Sequence, residues 1–129
     1  MITVETAVPP HARPGGWVRV HEIDLPGSLR RLPIGEVVIV RDLGAGGDRR
    51  AVVDKVDRDD RGRRYWLLLI APRVGMREVR RNLGALVDYV VATGERITIT
   101  RRGRPVAHMI KWPGPLLGEP GDDEDVDLS

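Results

Sequence analysis

No cysteine occurs in the 129 residues, which excludes disulfide staples and thiolate metal sites and fits a reducing compartment. No apolar run approaches the ~20 residues needed to span a bilayer. The N-terminus has neither the basic segment nor the apolar stretch of a signal peptide. A soluble cytoplasmic protein with no membrane partner is the expectation. Catalytic signatures are missing as well. His11, His21 and His108 are scattered, and His108 falls in a predicted strand, where a half-buried polar role suits it better than that of a base. Gly44-Ala45-Gly46-Gly47 lacks the Lys and Ser/Thr of a phosphate-cradling loop. Asp57, Asp59 and Asp60 lack the glycine and distal glutamate spacing of a calcium loop. The reading is therefore no enzyme, no cofactor and no metal. Lysine is scarce too: Lys55 and Lys111 are the two, so nearly all positive charge is arginine. A guanidinium fork suits phosphate recognition, and a GC-rich genome favouring arginine codons gives the same composition.

Charge is unevenly spread. Glu119, Asp122, Asp123, Glu124, Asp125 and Asp127 lie together with no base among them, so the formal +2 of the whole chain becomes +8 without them. Between Arg73 and Arg104, eight arginines face Glu78, Asp88 and Glu95, a local balance of +5. Clustering of this kind marks either a solvated face or an anion-binding one.

A chain of this length buries a modest core, enough for one domain or two very small ones. Pro9, Pro10, Pro14, Gly15 and Gly16 make residues 1–16 an irregular arm. Residues 17–71 read as a small β module. Trp17 to Ile23 alternates in part, and Val37 to Val40 is a continuous β-branched run, as a strand buried on both faces shows. Leu43 to Asp48 supplies a hairpin loop before Ala51, Val53 and Val56. Asp59-Asp60-Arg61-Gly62 is a second turn, leading into the apolar run Tyr65 to Ile70. Strands at this spacing predict an antiparallel meander, closing into a small SH3-like barrel. Trp17, Trp66 and Trp112 read as core or rim anchors, with base stacking by Tyr65-Trp66 as the alternative.

Pro72 ends the β character. Gly75 is placed as a helix N-cap with Glu78 at the capping-box acid position, and Thr93-Gly94 as the stop. The helix between them is about 27 Å long. Met76, Val79, Leu83, Leu86, Val87, Val90 and Val91 recur at helical spacing as one apolar stripe. Arg77, Arg80, Arg81 and Gly84 share the other side. Arg96 to Thr100 and Val106 to Lys111 form a hairpin turning at Arg102-Gly103. That hairpin is expected to bring Arg101, Arg102 and Arg104 close to the helix N-terminus, whose partial positive charge and free N–H groups favour phosphate oxygens. Pro113-Gly114-Pro115 stops regular structure, and residues 113–129 read as an acidic disordered tail.

Two stretches at this spacing, Arg77-Glu78-Val79-Arg80-Arg81-Asn82-Leu83 and Ile99-Thr100-Arg101-Arg102-Gly103-Arg104-Pro105-Val106-Ala107, carry a resemblance. Residues 72–112 resemble the Phd/YefM-type antitoxins, the DNA-binding halves of bacterial and phage toxin–antitoxin pairs. The resemblance implies an α+β unit of one helix and a hairpin, acting as a homodimeric transcriptional autorepressor on palindromic operator DNA and partnering a cognate toxin. DNA contact falls to Arg77, Arg80, Arg81, Arg101, Arg102 and Arg104, with Arg80 and Arg101 matching the family's arginine positions. The dimer interface falls to Met76, Val79, Leu83, Leu86, Val87 and Val90, and the toxin contact to Leu116, Leu117, Val126 and Leu128. In two respects the chain departs from the family pattern: some 70 residues precede the unit, and only about 17 follow Trp112. A different class of function also fits: a non-catalytic interaction protein that uses the fold to dimerise while the β module binds another partner.

Overall fold

The structure, a computed structural model, describes residues 2–27 and 31–113. It is mixed α+β: two sheets and one helix. The larger sheet is built from β1 (Ile2–Thr6), β2 (Trp17–His21), β3 (Val37–Asp42), β4 (Asp48–Asp59) and β5 (Gly62–Leu69), in the order β1-β3-β4-β5-β2. The smaller contains β6 (Arg73–Gly75), β7 (Ile97–Arg101) and β8 (Arg104–Met109) in chain order, with helix α1 (Met76–Thr93) between β6 and β7.

The hairpins expected at 43–48 and 59–62 are both present, β3 pairing with β4 and β4 with β5 antiparallel. Two features depart from the expected meander. Ile2–Thr6 is a strand rather than part of an irregular arm, and it pairs parallel with β3. The order ends on β1 and β2, which do not pair among the described residues, so the sheet is open there and no closed barrel forms.

Each apolar run divides between two cores. On one face of the large sheet Val38, Val40, Val53, Tyr65, Leu67 and Leu69 pack with Val4, Val18, Val20 and Leu25. On the other, Val37, Val52 and Leu68 pack with Val74, Leu86, Tyr89, Val90 and Ile97. The continuous run Val37 to Val40 therefore belongs to a strand with alternate residues in different cores, as a doubly covered strand requires. Tyr65 is 1 % exposed, so the stacking alternative has no partner in Tyr65. Trp17 and Trp66 are half-buried against each other, edge to face, whereas Trp112 is exposed.

The second core ties the two sheets together through α1. A polar clasp closes its C-terminal end. Tyr89 donates to Glu95 at 2.5 Å, and Arg50 on β4 pairs with Glu95. Among the described residues no helix is long and apolar enough to cross a membrane. Leu116, Leu117, Val126, Leu128 and the acidic cluster at 119–127 lie outside the described residues.

Candidate nucleic-acid interface

The helix begins and ends where its glycines place it. Gly75 is the N-cap in extended conformation, and Gly94 is the C-cap at φ 72°, its N–H bonded to the Val90 carbonyl at 2.8 Å. Gly75 brings no side chain to cap the first turn, so the helix presents its leading N–H groups without a side-chain acceptor from that residue. Glu78 does not close a capping box. Its carboxylate lies against Gly15, within 2.9 Å of where a β-carbon on that residue would stand. Gly15 sits at φ 87°, a left-handed position that favours glycine. Burial pushes the Glu78 carboxyl above the usual range, with nearby Arg81 pulling the other way.

Parallel pairing sets the hairpin beside the helix start. Arg73 stands opposite Thr98 and Gly75 opposite Thr100, and the Thr100 hydroxyl donates to the Val74 carbonyl at 3.3 Å. The residue after Thr100 is Arg101, so the hairpin turn emerges next to the first turn of α1. Arg73 reaches that turn, its guanidinium 3.4 Å from the Gly103 carbonyl. The turn takes left-handed conformations at both Arg102 (φ 53°) and Gly103 (φ 79°), as a tight two-residue hairpin demands. A non-glycine residue there costs on the order of 1 kcal/mol. Arg101 and Arg104 face each other across the turn, a like-charge pair that is itself unfavourable. A fold that keeps three arginines on so small a turn keeps them at a cost in stability.

Four arginines outside this end are neutralised. Arg41, Arg50, Arg63 and Arg64 each take a carboxylate partner, and the Arg64 hydrogen bonds hold the Asp57 carboxyl down at about 2. Among the described residues none of Arg73, Arg77, Arg80, Arg81, Arg101, Arg102 or Arg104 forms an ion pair. All seven are exposed. The six arginines expected to contact DNA thus gather at one end of the α1–hairpin unit, and Arg73 joins them through the pairing of β6, an element too short to show in the sequence.

The apolar stripe of α1 divides in two. Leu86 and Val90, 0 % and 2 % exposed, lie in the core shared with the large sheet, and Met76 and Val79 are half-buried. Leu83, Val87 and Val91 form an exposed ridge, each at least 41 % accessible, and Val106 and Ile110 of the hairpin are exposed too. Val91 continues the four-residue spacing of Leu83 and Val87, which is the signal that marks it. At Asn82 the helix departs from helical angles (φ −120°, ψ 25°). Asn82 is 5 % exposed and its amide nitrogen has no partner among the described residues. Arg77, Arg80 and Arg81 precede this kink, and the ridge follows it.

Residues 73–112 match the family model described as antitoxin Phd_YefM, type II toxin-antitoxin system. No curated protein and no solved structure matches the chain.

Proposed function

We propose that this protein is an antitoxin-type transcriptional autorepressor of a type II toxin–antitoxin system. It works in the cytoplasm as a homodimer on palindromic operator DNA. The observation that carries this reading is the clustering of seven exposed arginines, none with an ion pair among the described residues, around the α1 N-terminus and the hairpin turn. Backbone phosphates neutralise such a set, and the uncapped helix start adds N–H donors for the same oxygens. Leu83, Val87 and Val91, with Val106 and Ile110, supply the apolar surface for a second copy. A two-fold dimer repeats the arginine face at the two halves of a palindrome. The match over residues 73–112 supports a toxin partner, which we assign to Leu116, Leu117, Val126 and Leu128.

Arg80→Ala with Arg101→Ala tests the reading on the protein's own promoter fragment. Loss of about 1–3 kcal/mol per base contact is expected. Where the contact is to phosphate alone, the log–log salt slope falls by about 0.9 per site. The variant must keep the melting temperature of the unmodified chain. If this folded variant retards the promoter fragment as well as the unmodified chain does, the arginine face is not a DNA contact. The dimerising interaction protein then becomes the better reading.

A further inference from the structure

Helix α1 packs against one face of the large sheet. Val37, Val52 and Leu68 lie in the core beneath it. Further along the same face, the pairing sets Arg19 of β2 and Lys55 of β4 on either side of Trp66 in β5. The Lys55 ammonium lies 4.7 Å from the Trp66 ring centroid and 5.1 Å from that of Trp17, and the Arg19 guanidinium lies 5.3 Å over Trp66. Arg64 also approaches the ring, at 5.7 Å, but Asp57 holds it through two hydrogen bonds of 2.9 and 2.8 Å. Asp54 accepts the Trp17 indole N–H at 2.8 Å. Asp54 and Asp57 are thus both engaged, and Lys55 lies within the field of Asp57 without a direct ion pair. Arg19 and Lys55 are exposed and take no ion pair among the described residues.

Contact with an indole orders a long cationic side chain without cancelling its charge. An anion arriving at such a side chain loses less affinity to side-chain ordering. The same contact covers the ring faces with cations, which favours phosphate over a stacked base as the ligand. The patch also adjoins the arginine face. Glu78, in the first turn of α1, packs at Gly15, two residues before Trp17, and Arg81 lies close enough to Glu78 to lower its carboxyl.

We propose that Arg19 and Lys55, held on Trp66, form a second contact with the phosphate backbone, through which the N-terminal sheet grips duplex DNA flanking the segment bound at α1 and the hairpin. This rests on the DNA reading above and gives the sheet a part in it. The contact adds affinity without reading sequence. Its test is the salt dependence of binding to two promoter fragments, the shortest that the chain retards and one longer by about a helical turn on each side. For the unmodified chain the log–log slope on the longer fragment should be steeper by about 0.9 for each cation engaged, or roughly 2 per protomer. Arg19→Gln with Lys55→Gln should show equal slopes on both fragments and unchanged binding to the short one. Equal slopes for the unmodified chain overturn the proposal, as does an increment that survives in the double variant. Binding to neither fragment would overturn the DNA reading and this inference together. Should the double variant melt early, phosphate-ethylation interference on the unmodified chain decides instead. Interfering phosphates outside the short fragment support the contact, and their absence refutes it.

Discussion

Glu78 is a carboxyl in the wrong place for a charge. It stands among the arginines yet packs against Gly15, and one of its oxygens is buried without a partner among the described residues. Burial raises its carboxyl, against the pull of Arg81, so the group holds its proton more readily folded than unfolded. The sign of the linkage follows. The stability tied to this group is fully present below the ordinary carboxylate range and is lost as pH rises through the raised folded value. Glu78→Gln should therefore raise the melting temperature at neutral pH and leave it unchanged in acid, where the native residue is already protonated. Thermal melts of both proteins at several pH values check this. A gain that persists in acid would point to packing rather than charge. Asp57 has the opposite sign: its carboxyl is held down at about 2 by the Arg64 hydrogen bonds. Its contribution is present above the ordinary carboxylate range and disappears as pH falls toward 2.

The helix is where residue patterns meet packing. Its ends and its stripe were legible because glycine caps and helical spacing are local properties. Which part of the stripe faces which neighbour was not legible. The stripe from Met76 to Val91 looks like one surface in sequence, and only the large sheet, far away in the chain, divides it into Leu86 and Val90 beneath and Leu83, Val87 and Val91 outside. The strand Ile2–Thr6 was hidden for a related reason. It is five residues long and pairs in parallel with a strand some 35 positions later, and Pro9 and Pro10 follow it closely. The gathering of Arg101, Arg102 and Arg104 beside the helix start was legible, since a tight turn at Arg102-Gly103 leaves few alternatives. The kink at Asn82 carried no sequence signal. Two substitutions separate the two sides of α1. Leu86→Ala should cost about 2–5 kcal/mol of stability by opening a cavity. Leu83→Asp with Val87→Asp should leave the chain folded, with cooperative melting, and turn the proposed dimer into a monomer by light scattering. A dimer that survives the aspartate pair would remove Leu83 and Val87 from the interface and weaken the case for a palindromic site.

Across the whole molecule, a shared core makes the arginine-bearing unit dependent on what precedes it. Val37, Val52 and Leu68 come from the large sheet, while Leu86, Tyr89, Val90, Val74 and Ile97 come from the match to the antitoxin family, and all lie in one cluster. The Arg50–Glu95–Tyr89 clasp fastens the same junction from the polar side. A helix and a hairpin alone bury too little to offset the entropy of ordering them, and the proposed dimer through the outer ridge would cover Leu83 and Val87 but leave Leu86, Tyr89 and Val90 bare. The chain should therefore unfold in a single transition. A fragment of residues 72–129 should lack cooperative melting at micromolar concentration and should not retard promoter DNA, although it keeps every one of the seven arginines. Circular dichroism and light scattering of the fragment beside the full chain measure this. If the fragment folds as a dimer with the full chain's melting temperature, the large sheet is an appended module and the shared core contributes little. If instead it stays unfolded until the sheet is supplied in the same chain, the sheet is part of the DNA-binding fold itself, because without it the arginines have no fixed geometry to present to phosphate.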